Sequence, residues 1–294
     1  MRRASGAFAL LLLLWLIAPS TPLSAQDYRT VTLSKQYRGQ DSLQAEIEFA
    51  AGVLKVRPGS PGSLYRMELS YDPQRFAPLS KVDSSGTDLR LGIKSSGQAG
   101  ISVGLKNDRP QDGLIELNPR TILSLDVSLG AAQADLDLGG LRVSQAEIRT
   151  GASETTLRFS SPNRVQCEQM SISVGAAEFS AYQLGNSDCK TISVDGGVGG
   201  VLVDLTGAWK RDATITLAVA LGDISLVLPR EVGVELTLDR FLSNFNPEGF
   251  VHEGRVYRSL NYSTAGRRLS LSLTSTVGVP VSEAGLPHFL LESS

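Results

Sequence analysis

The chain has 294 residues, enough for one large domain or two ordinary ones. Hydrophobic residues make up 41% and charged residues 20%, which excludes a disordered chain and a protein of many membrane spans. Lys and Arg total 28 against 30 Asp and Glu, a net of -2, so no basic surplus points to nucleic acid as a partner.

The N-terminus reads as an address. Arg2 and Arg3 precede an apolar run from Ala7 to Ala18, and Pro19 through Ala25 come next with a small residue at the end. This is the layout of a secretory signal peptide over residues 1–25, and the run is too short to span a bilayer. Cleavage after Ala25 leaves Gln26 first; the alternative is retention of the segment as an anchor. Cleavage removes two Arg and no acid, for a net of -4. The expectation is an extracytoplasmic chain, periplasmic or secreted, with no stable membrane insertion once the signal is cut.

Strand signals dominate the rest of the chain. Residues 26–119 read as an N-terminal β region and cap. There Ala45, Ile47 and Phe49 precede Ala50-Ala51-Gly52, and Leu54 and Val56 come after. Loop signals then interrupt the pattern at Arg57 to Gly62, at Ser84-Ser85-Gly86 and at Asp108-Arg109-Pro110.

Residues 120–240 carry a repeat. Gly130, Gly151, Gly175, Gly197 and Ala220 are spaced 21, 24, 22 and 23 residues apart. Three residues before each anchor stand Val127, Ile148, Ile172, Val194 and Leu217, and six after stand Leu136, Leu157, Ala181, Val203 and Leu226. A polar column lies between the apolar ones: Asp126, Glu147, Ser171, Ser193 and Thr216. Each unit reads as strand, small-residue corner, strand and looser return. Such units bury their apolar side only by stacking, so the spacing predicts a β-solenoid, a parallel β-helix wound as one continuous ribbon. The alternative is an antiparallel sandwich, but the corners Gly130-Ala131-Ala132 and Gly175-Ala176-Ala177 lack hairpin turn chemistry. Residues 241–294 read as a C-terminal capping region, with Phe241, Phe245, Phe250, Tyr257 and Tyr262 as a core plug or a ligand platform.

The run Leu125 to Leu141, LDVSLGAAQADLDLGGL, resembles the coil motif of toast-rack domains. These are related to the C-terminal regions of LiaF-like cell-wall-active antibiotic response proteins and to head-domain adhesins. Phe250 to Tyr262, ahead of the strand Leu269 to Leu273, is similar to their closing segment, so the resemblance spans residues 40–282. It implies a right-handed, single-stranded stack of β coils outside the cytoplasm, in families proposed to act in adhesion or envelope-stress sensing. No functional residue carries over, because the motif is structural. The cleavable signal departs from the membrane helices of the LiaF-like proteins.

Chemistry-bearing residues are few. Cys167 and Cys189 each lie eight positions before an anchor, in the column that Ile122 and Val143 occupy. That places them on neighbouring coils, as a possible disulfide or as two packed thiols. Glu154, Glu178 and Asp223 share a column with Gln133 and Gly200, either a calcium-type cluster or a solvated face. His252 and His288 lack a nucleophile or metal motif, and the Gly139-Gly140 and Gly196 to Gly200 runs lack the helix and Lys of a phosphate loop. No catalytic, cofactor or metal residue is therefore assigned, and no cofactor is expected. The first reading is a non-enzymatic, adhesin-like scaffold of the bacterial envelope whose partner is an unidentified envelope protein or glycan. The alternative is a polysaccharide lyase on a parallel β-helix, which would have to gather Arg149, Arg158 and Lys210 with Glu147 and Asp204.

Overall fold

A computed structural model describes residues 28–97, 110–239, 249–275 and 281–283. Residues 1–25, expected to be a signal segment, and Asp108, Arg109, Phe241, Phe245 and His288 lie outside them. The N-terminal strands are β1 (Arg29–Gln36), β2 (Ser42–Pro58), β3 (Ser63–Tyr71), β4 (Phe76–Val82), β5 (Asp88–Ser95) and β6 (Asp112–Leu117). The repeat supplies β7 (Ile122–Asp137), β8 (Arg142–Thr150), β9 (Glu154–Arg158), β10 (Cys167–Ala176), β11 (Glu178–Tyr182), β12 (Cys189–Val198), β13 (Val201–Asp204), β14 (Ala213–Leu221) and β15 (Ile224–Leu228). The C-terminal strands are β16 (Gly233–Asp239), β17 (Phe250–Glu253), β18 (Val256–Ser259), β19 (Arg268–Ser275) and β20 (Val281–Glu283).

Alternation of apolar and polar residues gives each strand one inward and one outward face. The strands then build two ladders. In the first, β5, the first half of β2, the first half of β7, β8, β10, β12, β14, β19 and β16 pair side by side, all parallel. In the second, β6, the second halves of β2 and β7, β9, β11, β13, β15 and β20 do the same. Parallel pairing of successive repeat units is incompatible with a sandwich of hairpins. Antiparallel pairs occur at the ends: β4 on β5, β3 on β6, β1 on β3, and the β17–β18 hairpin on β16.

The core is a set of rows along the stack. Val127, Ile148, Ile172, Val194 and Leu217 are register partners in sequence, each no more than 1% exposed. Leu91 and Ile47 extend the row at one end, and Leu273 and Leu238 at the other. Leu136, Leu157, Ala181, Val203 and Leu226 form the matching row of the second ladder, also buried.

The corner glycines divide into two kinds. A Cβ on Gly130 would sit 2.2 Å from the Ala50 carbonyl oxygen of the neighbouring coil, so the anchor is small because coils approach closely there. The left-handed backbone comes two residues later, at Gly222 (φ +142°), where an added Cβ would meet the Gly199 carbonyl oxygen at 1.9 Å.

Two details depart from the repeat as read along the chain. The windings do not keep to chain order at the ends: β2 lies between the β5–β6 coil and β7, and β19 lies between β14 and β16. The ribbon is therefore continuous only from β7 to β15, and each end is closed by a strand inserted out of order. Chain excursions such as residues 59–121 are long enough to double back. The second departure is a register shift that pairs Val143 with Leu123 and not with Ile122.

Because the row is continuous, a hole in one coil is felt by both neighbours. Ile172→Ala should destabilise the protein by about 2–5 kcal/mol, measured by urea unfolding. An outward change in the same strand, Ser171→Ala, should stay within about 0.5 kcal/mol.

Candidate functional site

The outer face of the first ladder is a regular surface. On it Thr191 and Thr214 are register partners, as are Ser193 and Thr216, and the pattern continues to Ser270 and Ser272 on β19. All six are exposed or half-exposed. Stacking sets these hydroxyls about 4.7–4.9 Å apart along the columns, and alternate residues about 6.6 Å apart across them. Chemically these six hydroxyls form an uncharged grid of donors and acceptors, bordered by the carboxylates of Asp195 and Glu235.

Toward the N-terminal end the same face is charged. Glu46, Asp126 and Glu147 occupy consecutive rungs of one column. Arg90 pairs with Glu46 at 3.0 Å. Arg149 donates to both carboxylate oxygens of Asp126, at 2.6 and 2.8 Å, and pairs with Glu147. Hydrogen bonds to Asp126 and then to Glu147 hold the Arg149 guanidinium protonated above its usual range. A cleft of about 430 Å³ lies here, lined by Glu46, Asp88, Arg90, Asp126 and Glu147. Arg90, the arginine of this lining, is already paired with Glu46.

The remaining candidates disperse. Arg158 pairs with Asp135, while the Lys210 ammonium donates to the Asn163 carbonyl at 2.6 Å. Asp204 accepts from the Thr206 amide at 2.8 Å. The set required of a lyase is thus brought together only as far as Arg149 and Glu147. Glu154 and Glu178 are register partners beside a shallow groove of about 780 Å³, and Gln133 donates to Glu154 at 3.4 Å. Gly200 separates these acids from Asp223 in the column. Among the described residues no three His, Cys, Asp or Glu side chains are placed to hold a metal ion. His252 is exposed on β17, its ring 5.3 Å from that of Tyr257. Gly196 to Gly200 leads from β12 across a corner into β13, with no helix after it. Phe250 and Tyr257 pack against the core, and Tyr262 lies 5.7 Å from the Arg258 guanidinium and 5.6 Å from that of Arg268.

Cys167 and Cys189 are register partners on β10 and β12. Their sulfurs are joined, with Cα atoms 4.1 Å apart and both side chains fully buried.

Apolar periodicity missed the bracing of the return turns. The Asn163 side chain donates to the Val143 carbonyl (2.7 Å) on the coil before and to the Ser187 carbonyl (2.9 Å) on the coil after. Asn186 repeats the device between Phe159 and Ala208, with two bonds of 2.9 Å. Next to it, Arg211 grips Asp188 through two bonds of 2.9 and 2.6 Å, with Asp188 almost wholly buried. The signal was available: Asn163 and Asn186, like Asp188 and Arg211, lie one repeat of 23 residues apart.

Stacked parallel coils with small-residue corners are matched by a known family. The family model for the N-terminal domain of toast_rack, DUF2154, covers residues 22–180, more than half of the chain. The chain belongs to this toast-rack family. None of the curated proteins matches it. Among solved structures it is similar to a candidate cell adhesion protein from Clostridium sporogenes, at 16% identity and TM-score 0.49, over 87% of this chain and 99% of that one. A candidate adhesin from Bacteroides fragilis is similar at 10% identity and TM-score 0.42, covering 87% of this chain and 97% of that one. At such identities and TM-scores neither likeness carries a functional argument. The toast-rack chain is all-β with an open sheet, and among its described residues no helix is long and apolar enough to cross a membrane.

The buried ion pair gives a test of the turn bracing. Arg211→Ala leaves Asp188 charged, buried and unpaired, and should cost about 3 kcal/mol in chemical unfolding. Asp188→Asn combined with Arg211→Gln should recover part of that loss.

Proposed function

We propose that this toast-rack chain is an extracytoplasmic, non-enzymatic, adhesin-like scaffold. Its coils wind as a right-handed single-stranded solenoid, the hand that parallel strand crossovers favour almost without exception. The observation that carries the reading is the hydroxyl grid on β12, β14 and β19. A rigid lattice of weak, identical hydrogen-bonding groups suits multivalent contact with a repeating envelope glycan. The inner rows, by contrast, only hold the stack. A lyase reading draws on the Arg90 cleft and on Arg149 nearby on the same face, but the carboxylate excess of the cleft would repel an anionic sugar instead of neutralising it.

Binding is tested on a glycan array and on envelope polysaccharide fractions with the secreted chain. Replacing Thr214 and Thr216 with Glu should lower binding about tenfold or more without changing the unfolding midpoint by more than a few degrees. Equal binding by that variant, or turnover of an acidic polysaccharide, would overturn the proposal.

The cysteine pair belongs to the same reading, since a cross-link persists in an oxidising compartment. The chain secreted to such a compartment should contain no free thiol under denaturing conditions. Cys167→Ala with Cys189→Ala should lose about 2–4 kcal/mol in urea unfolding, because the bridge closes a 22-residue separation.

A further inference from the structure

Among the described residues four strands end the two ladders, and they are not alike. β4 carries Pro78 in its middle, which removes a backbone donor. β17 has four residues and β20 three. These edges are blunted in the ways that discourage unwanted pairing. β1 is different. It has eight residues and no proline, runs in unbroken register with β3 from Arg29 to Lys35 before a shift at Gln36, and among the described residues has β3 as its only ladder partner.

The core is also unfinished under β1. Arg29, Val31, Leu33 and Lys35 are register partners of Tyr71, Leu69, Met67 and Tyr65, and all four of those partners are buried. Val31 and Leu33 pack on the same core but stay half-buried, and among the described residues no further strand covers them. Around this apolar pair stand two cations, Arg29 and Lys35, and β1 contains no carboxylate. Neither cation makes an ion pair among the described residues. The inward face of the open edge therefore reads cation, aliphatic, aliphatic, cation.

That pattern selects among occupants. A second β1, added antiparallel with Val31 opposite Leu33, would set Arg29 opposite Lys35, and directly opposed like charges destabilise a strand pair. We infer that β1 accepts an extended strand from a partner polypeptide whose alternate residues read acid, aliphatic, aliphatic, acid. Backbone hydrogen bonds supply affinity along the whole edge. The two carboxylates set register, and the aliphatic pair completes the burial of Val31 and Leu33. This site lies at the end of the stack and does not depend on the glycan reading of the lateral face.

The test uses the secreted chain and a fluorescent nine-residue probe, with Glu, Val, Val and Glu on one face and Thr on the other. Saturable binding with slowed hydrogen exchange of the β1 amides is expected. Charge reversal, Arg29→Glu with Lys35→Glu, should weaken that probe about tenfold and transfer preference to a probe with Lys in place of Glu. Both positions are solvent-accessible, and circular dichroism checks that the variant is folded. Absence of any change in β1 exchange, or equal affinity of the reversed chain for both probes, would overturn the inference. So would dimerisation that protects β1 without probe, which would assign the edge to a second copy.

Discussion

Everything in this molecule depends on stacking each residue on its equivalent one coil away. Parallel in-register pairing fixes that distance near 4.7–4.9 Å, less than the width of a large side chain's free swing. Inner positions are therefore apolar on nearly every coil, because a polar group there has mostly aliphatic neighbours above and below; the buried exceptions are Thr150 and Thr155, the latter's hydroxyl meeting that of Ser153 at 3.1 Å. Corner positions are constrained from the backbone side. Gly130 lies so close to the Ala50 carbonyl that no side chain fits, and a less severe approach recurs at Gly151, Gly175 and Gly197, where an added Cβ would lie 3.0, 2.8 and 2.8 Å from the carbonyl oxygen of the coil before. Volume is conserved along the rows: Ala146 lies between Leu125 and the longer Met170, and all three are buried.

The same constraint organises the polar groups. Where the column at Glu46, Asp126 and Glu147 stacks three carboxylates, repulsion is relieved by arginines on the same face. These exposed pairs add little stability individually, and their role is to let like charges tolerate one another. On the return side, where no strand ladder satisfies the backbone, Asn163 and Asn186 each tie the coil before to the coil after. Asp188 and Arg211 do so with charge, and there burial makes the pairing obligatory.

How much of this was readable depended on the periodicity each feature obeys. The buried rows were legible because the alternation of a strand and the spacing of the anchors coincide, so Val127 and Leu217 fall in one column without any structure. The polar column of Ser171, Ser193 and Thr216 was legible for the same reason. The strand order at the ends was not. Residues 45–56 match the coil template, but a template says what a coil looks like and not which coil lies beside it. The register shift before Ser124 was hidden because the spacing already varies from 21 to 24 residues. The asparagine braces were invisible to apolar patterning, since they sit in turns; searching for opposite charges or paired amides one repeat apart would have exposed them.

The two proposed surfaces differ because the backbone is used differently on each. On the lateral faces each inner rung spends its amides and carbonyls within the ladders, so a partner there meets only side chains, and neutral hydroxyls serve many weak contacts without mutual repulsion. At the ends the ladders stop, and main-chain groups become available wherever the edge is not blunted. Proline in β4 and the shortness of β17 and β20 close three such openings. Insertion of β2 and β19 out of chain order sharpens the contrast: it places the interleaved strands inside the stack, where both their edges are paired, and leaves β1 to stand outermost. An edge in unbroken register from Arg29 to Lys35, with half-covered aliphatics and a cation at each end, is thus a consequence of how the chain closes its own stack, and it is chemically distinct from every surface that the repeat itself generates.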